Sequence, residues 1–394
     1  MNITFFLQTL GHTGGSLAIY KHCDELTRLG HNINVVLPTG LIKWEIGTFE
    51  KMLNSILEKQ KNFKALIKKI DLKFTKGSIL KKYQSLKKSR SDFFDDINKL
   101  TKQLIQFWPP SDITIATYWT TAFAAALLSE QTTSLYYMQH YEEVFFPFKD
   151  VSTRLKCRMT YGLPIHLIAN SLWLQEQIIK RFQRKTYLIN HAIIDPKNFE
   201  LSSALIRSKF SKFDPVKIVS YCDPRPFKGW NYSIEAMKIV QKKYPNIIWQ
   251  TFGSKLPNED VKVTTLGRMS NQELAKLYQD SHIGFLFSNY ESFPLQPLEM
   301  MSAGCATITT PLGTEAYAKD KINCLISKPR DPKDLAESLM FLIENKNLAT
   351  KLALNGSSSA KEFTWEKSSQ QLLNIINNAQ KNSPFADIPQ FLSN

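Results

Sequence analysis

Apolar and polar positions fall in blocks along most of the chain, short β-rich apolar runs alternating with stretches of helical spacing. In the first half, strands are expected in ITFFLQ, NINVVLP, DITIAT, SLYYMQ, HLIAN and TYLIN. Helices are expected to end at Leu29-Gly30, to cover AFAAALLSE, and to run from about Ser171 to Phe182. A second series starts near Val216, with strands in VKIVSYC, NIIWQTFG, VKVTTLG, HIGFLFS, CATITT and NCLIS. Its helices follow Trp230 and Asn271 and cover about Leu295–Ala303, Asp331–Glu344 and Asn347–Lys361. The strands are continuous apolar runs, as expected when helices cover both faces of a parallel sheet. The pattern predicts an α/β protein of two doubly wound domains, residues 1–200 and 201–363. The polar, strandless stretch between about Asp195 and Pro215 suits a linker. Ligands of such sheets sit beyond the carboxyl ends of the strands, so the cleft that the two domains face is the expected site. A last helix, from about Trp365 to Gln380, lies in a C-terminal piece, 364–394, whose tail KNSPFADIPQFLSN is expected to be poorly ordered.

Composition narrows the class. With 394 residues, 43% apolar and 22% charged, the chain is a folded globular protein of two or three domains. Disorder, collagen-like repeats and a small disulfide scaffold are excluded. No run approaches the ~20 apolar residues of a membrane-spanning helix. The opening MNITFFLQTLGHTGG has no Lys or Arg and reads as a first strand, not a signal peptide. Cys23, Cys157, Cys222, Cys305 and Cys324 form no C-x-x-C pair. They are expected to be small buried thiols in a reducing cytoplasm.

Charge is uneven. The chain carries 50 basic and 35 acidic residues, hence +15, and residues 41–110 hold 16 basic against 7 acidic, or +9 of that excess. This segment interrupts the first domain. Leu53, Ile56, Leu57, Phe63, Leu66, Ile67 and Ile70 describe an amphipathic helix with lysines on its flanks, and Phe93, Phe94, Ile97, Leu100 and Leu104 repeat the pattern. Two readings stay open: helices packed on the domain with solvated lysines, or contact with an anionic leaflet. Nucleic acid is disfavoured, because the charge is Lys rather than Arg and no recognition motif is present.

Three stretches carry chemistry. Gly14 and Gly15 lie between a strand and a helix, where backbone N–H groups approach an anion. The spacing is not G-x-G-x-x-G, so no dinucleotide fingerprint is present, and a plain tight turn fits as well. In NYESFPLQPLEMMSAGCATITT, Glu291 and Glu299 stand eight apart at a strand-to-helix junction, where carboxylates accept hydrogen bonds from sugar hydroxyls. The N–H groups of that helix's first turn suit a diphosphate. Alone, two solvated surface glutamates would be the plainer reading. YCDPRPFKGW then sets Arg225 and Lys228 at the end of a strand of the same domain, two cations suited to two phosphates.

Together these residues resemble glycosyltransferase family 4, a retaining family with the GT-B fold. Glu291 to Glu299 resembles its E-x7-E motif and Lys228-Gly229 its K-G motif; NHAIIDPKNF and TWEKSSQQLL are similar to its hinge segment and final helix. The resemblance covers about residues 1–40 and 110–380. It implies a GT-B architecture of two Rossmann-like domains, with the basic helical segment inserted in the first and the final helix crossing back to that domain. It implies that Glu291 contacts donor-sugar hydroxyls, that Glu299 holds the ribose, and that Lys228 with Arg225 binds the diphosphate. His140, in YYMQHYEE, resembles the active-site histidine that reaches the donor sugar. By the same resemblance, Gly14 and Gly15 would face the donor phosphate, Arg268 and Met269 would lie at the nucleobase, and Phe293, Pro294 and Leu295 would complete the donor site.

Departures from the family pattern accompany the likeness. Pro294 replaces a glycine and offers no N–H. Arg225 stands only three residues before Lys228, and His191 replaces the glycine of the hinge segment. The implied reaction is hexosyl or deoxyhexosyl transfer, with retention, from a nucleotide sugar to a glycan or lipid-linked cell-envelope acceptor. Lys228, Arg225 and a helix N-terminus answer the charge of the leaving diphosphate, with no metal or cofactor expected. The expected place is the cytoplasm, at the inner face of the plasma membrane through residues 41–110. Two rivals are a nucleotide-sugar 2-epimerase on the same fold and a catalytically silent membrane-associated scaffold.

Overall fold

A computed structural model describes residues 1–11, 14–48, 94–256, 260–382 and 384. Its chain order begins β1 (Asn2–Phe6), α1 (Gly14–Arg28), β2 (Asn32–Leu37), β3 (Gly40–Lys43), α2 (Asp95–Phe107), β4 (Ile113–Ala116), α3 (Trp119–Leu127), β5 (Thr133–Met138), α4 (Val151–Thr160), β6 (His166–Ala169), α5 (Leu172–Phe182) and β7 (Thr186–Leu188). It continues α6 (Pro196–Phe199), α7 (Ser203–Ser211), β8 (Lys217–Cys222), α8 (Trp230–Lys243), β9 (Ile248–Gly253), β10 (Thr264–Gly267), α9 (Asn271–Asp280) and β11 (Ile283–Phe285). It ends α10 (Leu295–Ser302), β12 (Ala306–Thr309), β13 (Leu325–Ile326), α11 (Pro332–Glu344), α12 (Lys346–Ala360) and α13 (Trp365–Lys381). Among the described residues no helix is long and apolar enough to cross a membrane.

The chain divides into two compact units. The first takes Met1–Gly11, Ile19–Tyr136 and Glu143–Ile165; the second takes His12–Ala18, Tyr137–Glu142 and His166–Asn394. In the first, strands run in the order β3-β2-β1-β4-β5. Parallel pairing sets Ile3 beside Ile33 and Ile113, and Phe5 beside Val35 and Ile115. Every residue of β4 is buried, the mark of a strand covered on both faces. The strand β3 departs from the all-parallel expectation: it pairs antiparallel with β2 through the short turn at Pro38–Thr39. The helix α2 buries Ile97, Thr101 and Leu104 and packs on β2, β3 and α3. The amphipathic stretch expected from Leu53 to Ile70, with Phe93, lies outside the described residues, as does most of the C-terminal tail.

The second unit holds a parallel pair, β6 and β7, and a six-stranded parallel sheet ordered β10-β9-β8-β11-β12-β13. In chain order that sheet runs 3-2-1-4-5-6, the Rossmann arrangement, whose direction of winding reverses between β8 and β11. Several helices begin where a side chain satisfies an orphan N–H group. Ser171 accepts from Leu174, Ser270 and Glu273 form a capping box, and Thr364 accepts from Lys367. The stretch expected as a linker is instead two helices, α6 and α7. Phe199, Ile206 and Phe210 are 0–1% exposed and sit in the apolar clusters of the second unit. The helix α13 is tied to the segment before α6: Trp365 Nε1 donates to the Ile193 carbonyl at 2.8 Å, and Ser368 Oγ to that of Asn190. All five cysteines are free and buried, as expected of small apolar thiols.

Candidate active site

The switch point places two loops side by side. The chain leaves β8 at Cys222 and enters the turn Asp223–Lys228; it leaves β11 at Phe285 and enters the loop to α10. Lys228 Nζ donates to Glu291 Oε1 at 2.6 Å, and Ser288 Oγ donates to the same oxygen at 2.6 Å. The two charged side chains are only 11% and 8% exposed. Buried charges of this kind persist only when paired and hydrogen-bonded. Gly229 makes the approach feasible. Its φ is +69°, and a Cβ there would stand 1.9 Å from the Phe287 carbonyl oxygen.

Arg225 is committed to Asp223. Its Nε and Nη2 donate to the two carboxylate oxygens at 2.9 and 2.7 Å, while the Tyr221 hydroxyl donates to Oδ2 at 2.9 Å. Burial pushes the Asp223 carboxyl up, but the hydrogen bonds from Arg225 and Tyr221 outweigh it and hold the group below its ordinary value. Half of the guanidinium side chain is exposed, lying over the Phe227 ring at 5.0 Å. The close Arg-to-Lys spacing thus leaves the arginine held locally, with donors still open to solvent.

His140 is buried beside these groups. Its ring meets Trp173, Phe227 and Tyr290 at 5.9, 6.1 and 5.9 Å, the three forming a continuous stack. Burial lowers its pKa to about 4; Glu291 and the Tyr141 carbonyl pull it up, and Lys228 and Arg225 push it further down. It is a neutral imidazole at neutral pH, a hydrogen-bonding group rather than a cation. Arg225 and Lys228 both lie over the Phe227 ring that His140 meets, at 5.0 and 5.3 Å, so with Glu291 on Lys228 the four are gathered in one place.

Glu299 is the fifth residue of α10 and 8% exposed. Burial raises its carboxyl to about 8, and it has no hydrogen-bond partner among the described residues. Burial raises the Tyr317 hydroxyl well above its ordinary value, and the charges of Glu291 and Glu299 add to it. Pro294 at the cap of α10 and Pro297 in its first turn carry no N–H, so Leu295 and Gln296 supply that turn's backbone donors. The Phe293 ring is buried against His191 and Tyr317 at 5.4 Å each. Leu295 lies beside Gly14, whose Cβ would meet Leu295 Cδ1 at 3.6 Å. His191 is also core: its Nε2 is 2.7 Å from the Tyr137 hydroxyl, and burial lowers it to about 3.

Arg268 and Met269 are not drawn into this cluster. Arg268 is exposed after β10 and makes no ion pair among the described residues, while Met269 packs on the apolar group containing Tyr278 and Leu298. One residue of the site goes unmarked by any motif. Gln139 precedes His140, and a Cβ on Gly15 would stand 3.3 Å from its Oε1. Both of its amide atoms are buried without a hydrogen-bond partner among the described residues. Its carbonyl accepts from Asn170 Nδ2 at 3.2 Å, and Asn170 Oδ1 accepts from Ser292 Oγ. A single glutamine at a strand end carries no spacing signal; only its burial singles it out.

Comparison with known proteins follows the same lines. The structure is similar over 96% of its length to that of HepE from Anabaena in complex with UDP and glucose, with a TM-score of 0.67, 17% identity and all of that chain covered. The fold is GT-B. Residues 203–359 match the family model of glycosyl transferases group 1, a stretch that carries Arg225, Lys228, Glu291 and Glu299. An uncharacterized glycosyltransferase of Methanocaldococcus jannaschii is 30% identical over 148 residues, 36% of this chain and 42% of that one. The O-antigen biosynthesis protein RfbC of Myxococcus xanthus is 24% identical over 268 residues, 66% of this chain and 20% of that one. The chain thus spans less than half the length of these curated relatives. Within the GT-B frame, the Lys228–Glu291 pair lies at the switch point of the group 1 segment's own sheet.

Proposed function

We propose that the protein is a retaining glycosyltransferase of family 4, transferring a hexosyl or deoxyhexosyl group from a nucleotide sugar to a glycan or lipid-linked acceptor of the cell envelope. The Lys228–Glu291 ion pair at the switch point carries the reading, with the group 1 match as its support. As the glycosidic bond to the donor breaks, positive charge grows on the sugar and negative charge on the diphosphate. Lys228 and Arg225, with the N–H groups of Leu295 and Gln296, answer the negative charge. Glu291 and neutral His140 accept or donate hydrogen bonds to sugar hydroxyls, and Glu299 receives the ribose. No metal or cofactor enters this scheme. A uridine diphosphate sugar is the first donor to try, because HepE is seen with UDP and glucose. The cytoplasmic face of the membrane, reached through the basic segment 41–110, suits such an acceptor.

Thermal unfolding with UDP, GDP, dTDP and ADP tests the donor site. A nucleotide at 100 times its dissociation constant stabilises by about 2.7 kcal/mol, on the order of several degrees. One nucleotide should raise the wild-type midpoint and lose its effect in Glu299→Ala. The matching sugar nucleotide should then be consumed only with acceptor, and Lys228→Ala should lower turnover by ~100-fold or more. Retention is read from the anomeric configuration of the product. Conversion of the sugar nucleotide to its 2-epimer without acceptor would favour the epimerase, and no midpoint shift with any nucleotide would favour the scaffold.

A further inference from the structure

Gln139 follows the last residue of β5 and precedes His140. Its backbone is pinned. The carbonyl accepts from Asn170 Nδ2 at 3.2 Å, and Asn170 Oδ1 accepts from Ser292 Oγ, next to Glu291. Asn170 and Ser292 are 1% and 3% exposed, so this bridge lies in the interior. The carboxamide has no such tie. Nε2 and Oε1 are both buried, and neither has a hydrogen-bond partner among the described residues. Buried polar groups of folded chains are nearly always paired, and leaving one unpaired destabilises the fold. A chain that fixes the backbone of Gln139 through two further side chains, yet leaves its amide unpaired, holds that amide for a partner outside itself.

The neighbouring groups narrow the partner's chemistry. A Cβ on Gly15 would stand 3.3, 3.5 and 3.6 Å from Oε1, Cδ and Cγ of Gln139, so the side chain lies along the glycine. A Cβ on Gly14 would meet Leu295 Cδ1 at 3.6 Å, which brings the first turns of α1 and α10 together beside it. Neither turn holds an acidic residue, and α10 has no side-chain cap. An anion therefore already has backbone donors here. The amide offers something different, a donor and an acceptor on one uncharged group. A phosphate oxygen only accepts, and it would face Oε1 with charge of the same sign. Adjacent hydroxyls of a sugar ring both donate and accept, and so can pair with both atoms. Gln139 adjoins His140 and is bridged to the loop of Glu291, the two groups assigned above to the sugar rather than to the ribose.

We infer that Gln139 is a further substrate-binding residue, its carboxamide pairing with adjacent hydroxyls of the transferred sugar and selecting sugars that carry them. The inference rests on the glycosyltransferase reading above. The pairing forms as the entering sugar displaces the groups that cover the amide. Its test compares the full-length wild type with Gln139→Leu, which keeps the bulk and removes both hydrogen-bonding atoms. Calorimetric titration uses UDP, GDP, dTDP and ADP, and then UDP-glucose, GDP-mannose, dTDP-glucose and ADP-glucose. For the base that the chain takes, the variant should bind the sugar nucleotide ~10-fold more weakly and the bare nucleotide within about twofold of the wild type. Its unliganded thermal midpoint should stay or rise, because an amide without a partner gives way to an apolar group of like size. Equal weakening of both ligands overturns the inference and puts the amide on the diphosphate. Unchanged binding of both overturns it as well, and a lower unliganded midpoint alongside would make Gln139 structural. A wild type that binds no nucleotide overturns the donor-site reading itself, and this inference with it.

Discussion

Glu299 is a carboxyl inside an apolar helix face, and burial alone lifts it from the ordinary 4.5 to about 8. The folded chain therefore keeps a proton that the unfolded chain releases. Stability from this group is whole below about pH 4.5 and falls as pH rises through 8, where the carboxyl must ionise while buried. The total loss is on the order of a few kcal/mol. Glu299→Gln is neutral throughout, so urea titrations of the two forms should diverge between pH 5 and 8, the wild type losing ground. A constant difference across that range would show that Glu299 ionises freely. The same proton bears on ligand binding. Ribose hydroxyls donate to a carboxylate, so wild-type affinity for the nucleotide should rise over the interval in which the variant's stays flat. Lys228 and Glu291, by contrast, neutralise each other at 2.6 Å, which is how two charges persist under about a tenth exposure.

Elements bring these residues together, and Gly229 is the narrowest point in that assembly. It ends the turn that carries Lys228 and caps α8, with a left-handed φ and a carbonyl oxygen 1.9 Å from where a Cβ would lie. Gly229→Ala should cost roughly 1–3 kcal/mol in backbone strain alone, and more as the Phe287 carbonyl is displaced. Because Phe287 leads into the Glu291 loop, the variant should lose nucleotide binding as well as thermal midpoint; a fall in midpoint with unchanged binding would separate the turn from the site. The strand and helix pattern of the second unit is readable because its strands are largely buried runs and five of its helices start at a Ser, Thr or Asp whose side chain caps them. The stretch from Asp195 to Pro215 was misread because Phe199, Ile206 and Phe210 stand at helical spacing among lysines and serines, too sparse to outweigh them. The charges at the ends of β8 and β11 were legible as types. Their meeting was not, since 63 residues separate Lys228 from Glu291 and only the strand order makes the two loops neighbours. Gln139 and the Asp223–Arg225 fork left no trace in spacing, because burial and side-chain direction are properties of the packed chain.

At the scale of the molecule, chemistry and charge are held by different parts of the chain. The described site residues, from Gly14 and Gly15 through His140 to Glu299, all belong to the second unit, although the first three lie early in sequence. The basic excess is concentrated elsewhere: residues 49–93 hold 13 basic against 4 acidic residues and contribute no candidate site residue. The flanking elements β3 and α2 pack on each other, so the ends of that stretch are close enough for a short bridge. Replacing residues 49–93 with a Gly/Ser linker removes +9 of the +15 charge. The nucleotide-dependent midpoint shift should survive in full, since nothing that binds the donor has been touched. Turnover with a soluble acceptor should stay within about twofold, whereas turnover with a lipid-linked acceptor in anionic vesicles should fall and lose part of its salt dependence. Loss of the nucleotide shift on this replacement would mean that the segment belongs to the donor site, and the division of labour between the two units would have to be redrawn. Equal turnover on both acceptors would leave the segment without a part in membrane access.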